Sequence, residues 1–141
     1  MRQPRPTGTG VSAGAVLVTE DNPLHMKIFK LNLTFGGYTV LEAENGEKGV
    51  ELARREHPDL ILVDLSLPKI DGWEMISRIK DDAATKDIPV IVVSARRPQD
   101  EAARAAMRHV AAYIPKPLDP EALMALVHET VESRESTVES N

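Results

Sequence analysis

The sequence predicts an α/β fold, a doubly wound parallel sheet of five strands built from repeated βα units. Short apolar runs alternate with segments of helical period along most of the 141 residues. The first, third and fourth runs are apolar almost throughout, as parallel strands covered on both faces require. The helical segments between them act as crossovers, which make neighbouring strands parallel and their connections right-handed.

The strands in order are Ala15 to Val18, Tyr38 to Leu41, Leu60 to Val63, Ile88 to Val93 and Ala111 to Ile114. The first helical segment follows Pro23, which suits a first turn because its missing N–H has no partner there anyway. Its covering residues are Leu24, Ile28, Leu31 and Phe35 at helical spacing, and Gly36-Gly37 stops it. Asn45 caps a second helix running through Glu56 and ended by Pro58. Asp71 caps a third carrying Trp73, Ile76 and Ile79, and Asp100 to Met107 reads as an Ala-rich fourth. Asp119-Pro120-Glu121 opens a fifth with Leu123, Leu126, Val127 and Val131. Residues 1–14 mix Pro, Gly, Ser and Thr without hydrophobic period, residues 133–141 are polar apart from Val138, and both read as flexible tails around one domain at 15–132.

Composition narrows the function. With 42% hydrophobic and 28% charged residues the chain is ordinary globular protein. The absence of cysteine excludes disulfides, thiolate metal sites and a cysteine nucleophile. No apolar run approaches the ~20 residues that span a bilayer, and no secretory signal is evident at the start, so a cytoplasmic address and no membrane partner are expected. A net charge of −5 argues against direct nucleic-acid binding.

Ligands of open parallel sheets collect outside the carboxyl ends of the strands. The first strand runs into Glu20-Asp21-Asn22, the third into Asp64, the fourth into Ser94 and the fifth into Lys116-Pro117. That rim gathers three carboxylates, a hydroxyl and an ammonium. Carboxylates so placed repel one another, and a hard divalent cation, magnesium, is the natural counter-ion. Asn22, Asp71 and Asp119 precede helical patterns directly and read as caps. Asp64 does not, because Leu65-Ser66-Leu67-Pro68 follows it as a loop.

Four strings carry a resemblance: Val18-Thr19-Glu20-Asp21-Asn22-Pro23; Asp59 through Asp64 to Asp71-Gly72; Ile88-Pro89 through Val93-Ser94-Ala95; and Tyr113-Ile114-Pro115-Lys116-Pro117. From Ala15 to Val131 the chain resembles the receiver domain of bacterial two-component response regulators, the CheY-like family, and within it the stand-alone DivK type. The resemblance implies the flavodoxin-like strand order 2-1-3-4-5. It implies that Asp64 accepts a phosphoryl group from the phosphohistidine of a sensor histidine kinase or phosphotransfer protein. Asp21, Asp64 and the Ser66 carbonyl would bind Mg2+ directly and Glu20 through a water. Lys116 would neutralise the acyl phosphate, Ser94 would hydrogen-bond its oxygen, and Tyr113 would be the aromatic that swings inward when Ser94 moves. Such a protein catalyses only its own phosphorylation and dephosphorylation.

Two positions depart from the family. Thr19 stands where an apolar residue is usual. His109 stands where glycine is usual, so a left-handed backbone is expected there. Alternative readings are a receiver cut from a hybrid kinase and a phosphorylation-independent docking module. A flavodoxin-type cofactor protein is disfavoured because Glu20-Asp21 would repel a phosphate after the first strand. A haloacid-dehalogenase-like phosphatase would need a second Asp where Ser66 stands.

The tail after Ser133 is too short for a DNA-binding domain, so a protein partner is the expected output. Residues 96–116 carry Arg96, Arg97, Arg104, Arg108 and Lys116 against Asp100 and Glu101, a local +3 inside a chain of −5. That asymmetry points the partner to the face made by the fourth helical segment, the fifth strand and the fifth helical segment.

Overall fold

The structure is a computed structural model, and it describes residues 13–65, 72–94, 104–105, 107–116 and 119–139. Its elements are β1 (Gly14–Thr19), α1 (Pro23–Phe35), β2 (Tyr38–Ala43), α2 (Gly46–Glu56), β3 (Leu60–Asp64), α3 (Gly72–Asp81), β4 (Val90–Ser94), β5 (Ala112–Pro115) and α4 (Pro120–Glu139). The five strands are parallel in the order β2-β1-β3-β4-β5. Four helices fall among the described residues, and the sequence's fifth helical segment is α4. Asp71 and most of the fourth segment lie outside the described residues.

Alternation along the strands splits the core into two layers. Leu17, Ile61, Val63, Val90 and Val92 face α2 and α3, where they meet Val50, Ala53, Met75, Ile76 and Ile79. Val16, Val18, Leu60, Leu62, Ile91 and Val93 face α1 and α4, where they meet Phe29, Leu33, Leu123 and Val127. Each central strand is therefore apolar on both sides, which is why the runs lack polar alternation. Asp59 secures the lower end: its carboxylate accepts from the Ala15 N–H at 2.8 Å and its own N–H donates to the Ala15 carbonyl at 2.8 Å.

Local signals place the helices. The Asn22 side chain accepts from the N–H groups of Leu24 and His25, Pro23 opens α1, and the Gly36 N–H donates to the Asn32 carbonyl at its end. Asn45 caps α2 by accepting from the Lys48 N–H at 2.9 Å. Asp119 caps α4, its carboxylate accepting from the Glu121 N–H at 3.1 Å. Helix α4 continues to Glu139, past the Ser133 at which the sequence suggests a tail, since no Gly or Pro lies between them to stop it.

Two expectations are corrected. Helix α1 buries Met26, Phe29 and Leu33, whereas Leu24, Ile28, Leu31 and Phe35, expected to cover the sheet, are 65%, 41%, 61% and 95% exposed. At ~100° per residue the two sets form stripes on opposite sides of the helix. Both satisfy the helical period; the buried one meets Val16 and Val18 of the sheet and Leu123 and Val127 of α4. The left-handed residue is not His109 but His57 (φ 46), the C-cap of α2. Pro58 disfavours the right-handed helical region for His57, which turns left-handed and closes α2 through its N–H on the Ala53 carbonyl at 3.0 Å. Before β5 the chain turns through a Val110 N–H bond to the Met107 carbonyl, which leaves His109 with no need of positive φ.

Helix α2 sits close on β1. A Cβ added at Gly49 would lie 2.6 Å from Met75 Cε and 2.9 Å from Thr19 Oγ1. Thr19 is fully buried there, and its hydroxyl has no hydrogen-bond partner among the described residues. An unpaired buried hydroxyl costs about 1–3 kcal/mol. Thr19→Val keeps the branched shape and removes that oxygen, so the variant is expected to unfold at higher urea, with a gain of about 1–2 kcal/mol; an unchanged or lower midpoint would contradict this account.

Candidate functional site

The strand order dictates where the charged side chains meet. Thr19 pairs with Val63, so the next residues along β1 and β3, Glu20 and Asp64, emerge side by side at the carboxyl ends. Both are buried, Glu20 at 2% and Asp64 at 3% exposure. Lys116, just past β5, spans the width of β4 to place its Nζ 2.7 Å from Asp64 Oδ2. The structure thus brings together Glu20, Asp64 and Lys116, all read from the sequence as rim residues.

The remaining predicted residues are less converged. Asp21 is exposed and lines a groove of about 320 Å³ with Glu20, Met26, Glu42, Glu44 and Lys48, outside the tight carboxylate cluster. Ser94 closes β4 in register with Pro115, and Tyr113 is in register with Val92, two residues before Ser94. Tyr113 is half-buried against the layer under α2 and α3. Ser66 lies outside the described residues.

One residue was missed. His25, in the first turn of α1, brings its Nδ1 to 3.7 Å from Glu20 Oε1. Single ligand atoms of Glu20, His25 and Asp64 all lie within 4.8 Å of one another. The signal was present in the sequence: Asn22 caps a helix directly after the acidic strand end, and its first turn must hang over that end.

The electrostatics follow from burial. Removal from water raises the Glu20 carboxyl from an ordinary 4.5 to about 8, and a hydrogen bond with Asp64 and that residue's charge push the same way. The Asn22 N–H, donating to Glu20 Oε2 at 3.1 Å, and the Lys116 charge pull it down. Glu20 Oε1 is buried with no hydrogen-bond partner among the described residues. Two buried carboxylates share one lysine, so at neutral pH the pocket must take up a proton or a cation. A buried carboxylate oxygen without a hydrogen-bond partner among the described residues, beside a second buried carboxylate, is a donor set that could hold a divalent ion such as Mg2+, with the exposed Asp21 next to it in sequence.

The response regulator receiver domain model matches residues 16–128. The chain belongs to that family. The polar-differentiation response regulator DivK of Brucella ovis is 38% identical over 104 residues, which cover 74% of this chain and 85% of DivK. A CheY-like receiver domain protein from Methanospirillum hungatei JF-1 shares the fold at a TM-score of 0.79 and 24% identity, over 87% of this chain and 97% of its own. The receiver domain of a sensor histidine kinase from Pseudomonas aeruginosa PAO1 is 26% identical with a TM-score of 0.76, over 84% of this chain and 98% of its own. That structure has a magnesium ion coordinated in its active-site cleft.

The pH response of this receiver domain carries a definite sign. Between about 4.5 and 8 the folded state holds a proton on Glu20 that the unfolded chain has released. Folding takes up that proton, so in chelator the Glu20 contribution to stability is greatest at the low end of this window. It declines as pH rises and is gone above the folded value. Urea titrations at about pH 5 and about pH 9 should show a smaller pH-dependent loss in Glu20→Gln than in the parent protein; equal losses would remove Glu20 as the cause.

Proposed function

We propose that this receiver domain accepts a phosphoryl group on Asp64 from a phosphohistidine and uses it to change its affinity for a protein partner. The carrying observation is the meeting of Asp64 and Lys116 at 2.7 Å beside the buried Glu20 carboxylate, whose Oε1 has no hydrogen-bond partner among the described residues. In the transfer, an Asp64 oxygen forms a bond to phosphorus as the P–N bond breaks, and the electron pair leaves on the donor imidazole nitrogen. Lys116 keeps the carboxylate ionised in a buried setting and then neutralises charge on the phosphoryl oxygens. Glu20, Asp21 and Asp64, with the Ser66 carbonyl, are the residues that would hold Mg2+, which offsets negative charge on carboxylate and phosphoryl oxygens when bound.

The same reading gives Ser94 and Tyr113 the signalling step. Ser94 hydrogen-bonds the arriving phosphoryl group, and Tyr113, two register positions back on β5, moves further into the layer it already borders. The donor, a histidine kinase or phosphotransfer protein, is seated along α1, whose exposed apolar stripe begins beside the acidic rim. The output partner is an acidic protein surface meeting Arg104 and Arg108, both exposed before β5. Lys116, counted with them in the sequence, turns instead into the site. A cytoplasmic location is part of this proposal and rests on membership of the receiver family. No described helix is long and apolar enough to cross a membrane.

Incubation with acetyl phosphate and Mg2+ should label the parent protein and leave Asp64→Asn unlabelled, while Lys116→Ala is slowed on the order of 100-fold. Acid-labile phosphate in Asp64→Asn at parental level would refute the assignment. For the output face, reversing Arg104 and Arg108 to Glu should weaken phosphorylation-dependent partner binding and flatten its salt dependence with labelling of Asp64 intact. Affinity unchanged at low and at high salt would place the partner elsewhere.

A further inference from the structure

His25 contributes something that the hard oxygen donors around Asp64 do not. Its Nδ1 stands 3.7 Å from Glu20 Oε1, too far for a hydrogen bond. It is close to the ~3.5 Å that separates two ligands on one zinc-sized ion with bonds of ~2.0–2.2 Å. The Glu20 oxygen that it faces is the buried one without a hydrogen-bond partner among the described residues. Asp64 completes a triangle of donors no more than 4.8 Å apart. The backbone at this position is fixed, since the His25 main-chain N–H donates to the Asn22 side chain at 3.2 Å, and the imidazole itself remains 44% exposed, open to an arriving ion.

The donor chemistry separates two classes of cation. Magnesium prefers oxygen ligands and retains water, whereas imidazole nitrogen suits borderline first-row ions. We propose that His25, with Glu20 and Asp64, makes this pocket a mixed nitrogen and oxygen site that binds zinc-class divalent ions in preference to magnesium. The inference rests on the reading of the pocket as a cation site but not on phosphorylation of Asp64. Because it shares Glu20 and Asp64 with the proposed magnesium set, a zinc-class ion competes directly with Mg2+ and draws the first turn of α1 toward the acceptor.

The test uses the full chain, with Zn2+ and Mg2+ affinities from calorimetry and Co2+ as an optical probe of nitrogen ligation. The parent protein should bind Zn2+ at least about tenfold more tightly than Mg2+. In His25→Ala the zinc-to-magnesium affinity ratio should fall about tenfold or more, and the Co2+ visible band should lose its nitrogen-ligand character. Far-UV circular dichroism and a His25→Gln variant check that α1 still forms. An unchanged ratio in both variants, or a Co2+ band that survives both His25→Ala and Glu20→Gln because the ion sits on another histidine, would overturn the proposal. Magnesium-dependent labelling of Asp64 is measured alongside. Normal labelling with an unchanged ratio removes this inference alone, whereas absent labelling with a His25-dependent ratio removes the phosphoryl-acceptor reading alone.

Discussion

Two neighbouring carboxylates held out of water, one of them paired with an ammonium, set the terms for the rest of the molecule. Glu20 and Asp64 are neighbours because β1 and β3 are neighbours, and they are buried because both strands end under helices. If both ionise, Lys116 leaves one negative charge uncompensated in a poorly solvated place. The apolar layers on either side of the sheet must outweigh that cost, and every position of β3 and β4 below the rim, with Val16 to Val18 of β1, is Val, Leu or Ile. A protein without such layers would relieve the repulsion by opening the strand ends to water. Here relief has to come from something that binds.

Much of this was legible in the residues. The strands could be read because burial on both faces leaves no polar alternation, and the rim could be read because Glu20, Asp64 and Lys116 each follow such a run directly. The caps at Asn22, Asn45 and Asp119 act through local hydrogen bonds, which sequence separation does not obscure. What escaped was decided by contacts between distant segments or between competing local rules. Helix α1 presents two apolar stripes of the same period, and only the position of α4 and the sheet chooses between them. The left-handed residue was sought at His109 on family grounds, yet it falls at His57, where α2 ends against Pro58. His25 was passed over because it lies outside the strand-end strings, and only the fold brings it against the carboxylates of the strand end.

The positive charges follow a similar division. Arg54 reaches Asp82 across the end of α3, Arg55 and Arg78 pair with glutamates on their own helices, and Lys30 pairs with Glu42 on β2. These are exposed pairs of small individual worth, three of them on the α2 and α3 side and one on α1. Lys116 pairs with a buried carboxylate, and its loss would leave Asp64 with an uncompensated charge rather than a merely weaker surface.

The outer stripe of α1 has a consequence for how the protein behaves in bulk. Leu24, Ile28, Leu31 and Phe35 lie in one row with four-three-four spacing, the geometry by which one helix seats another. The helix carries Lys27 and Lys30 and no acidic residue, within a chain that is otherwise acidic. Water-structuring salts such as sulfate strengthen the burial of apolar surface while screening those lysines. A concentrated solution is therefore least colloidally stable in high sulfate, and covering that stripe would oppose the loss.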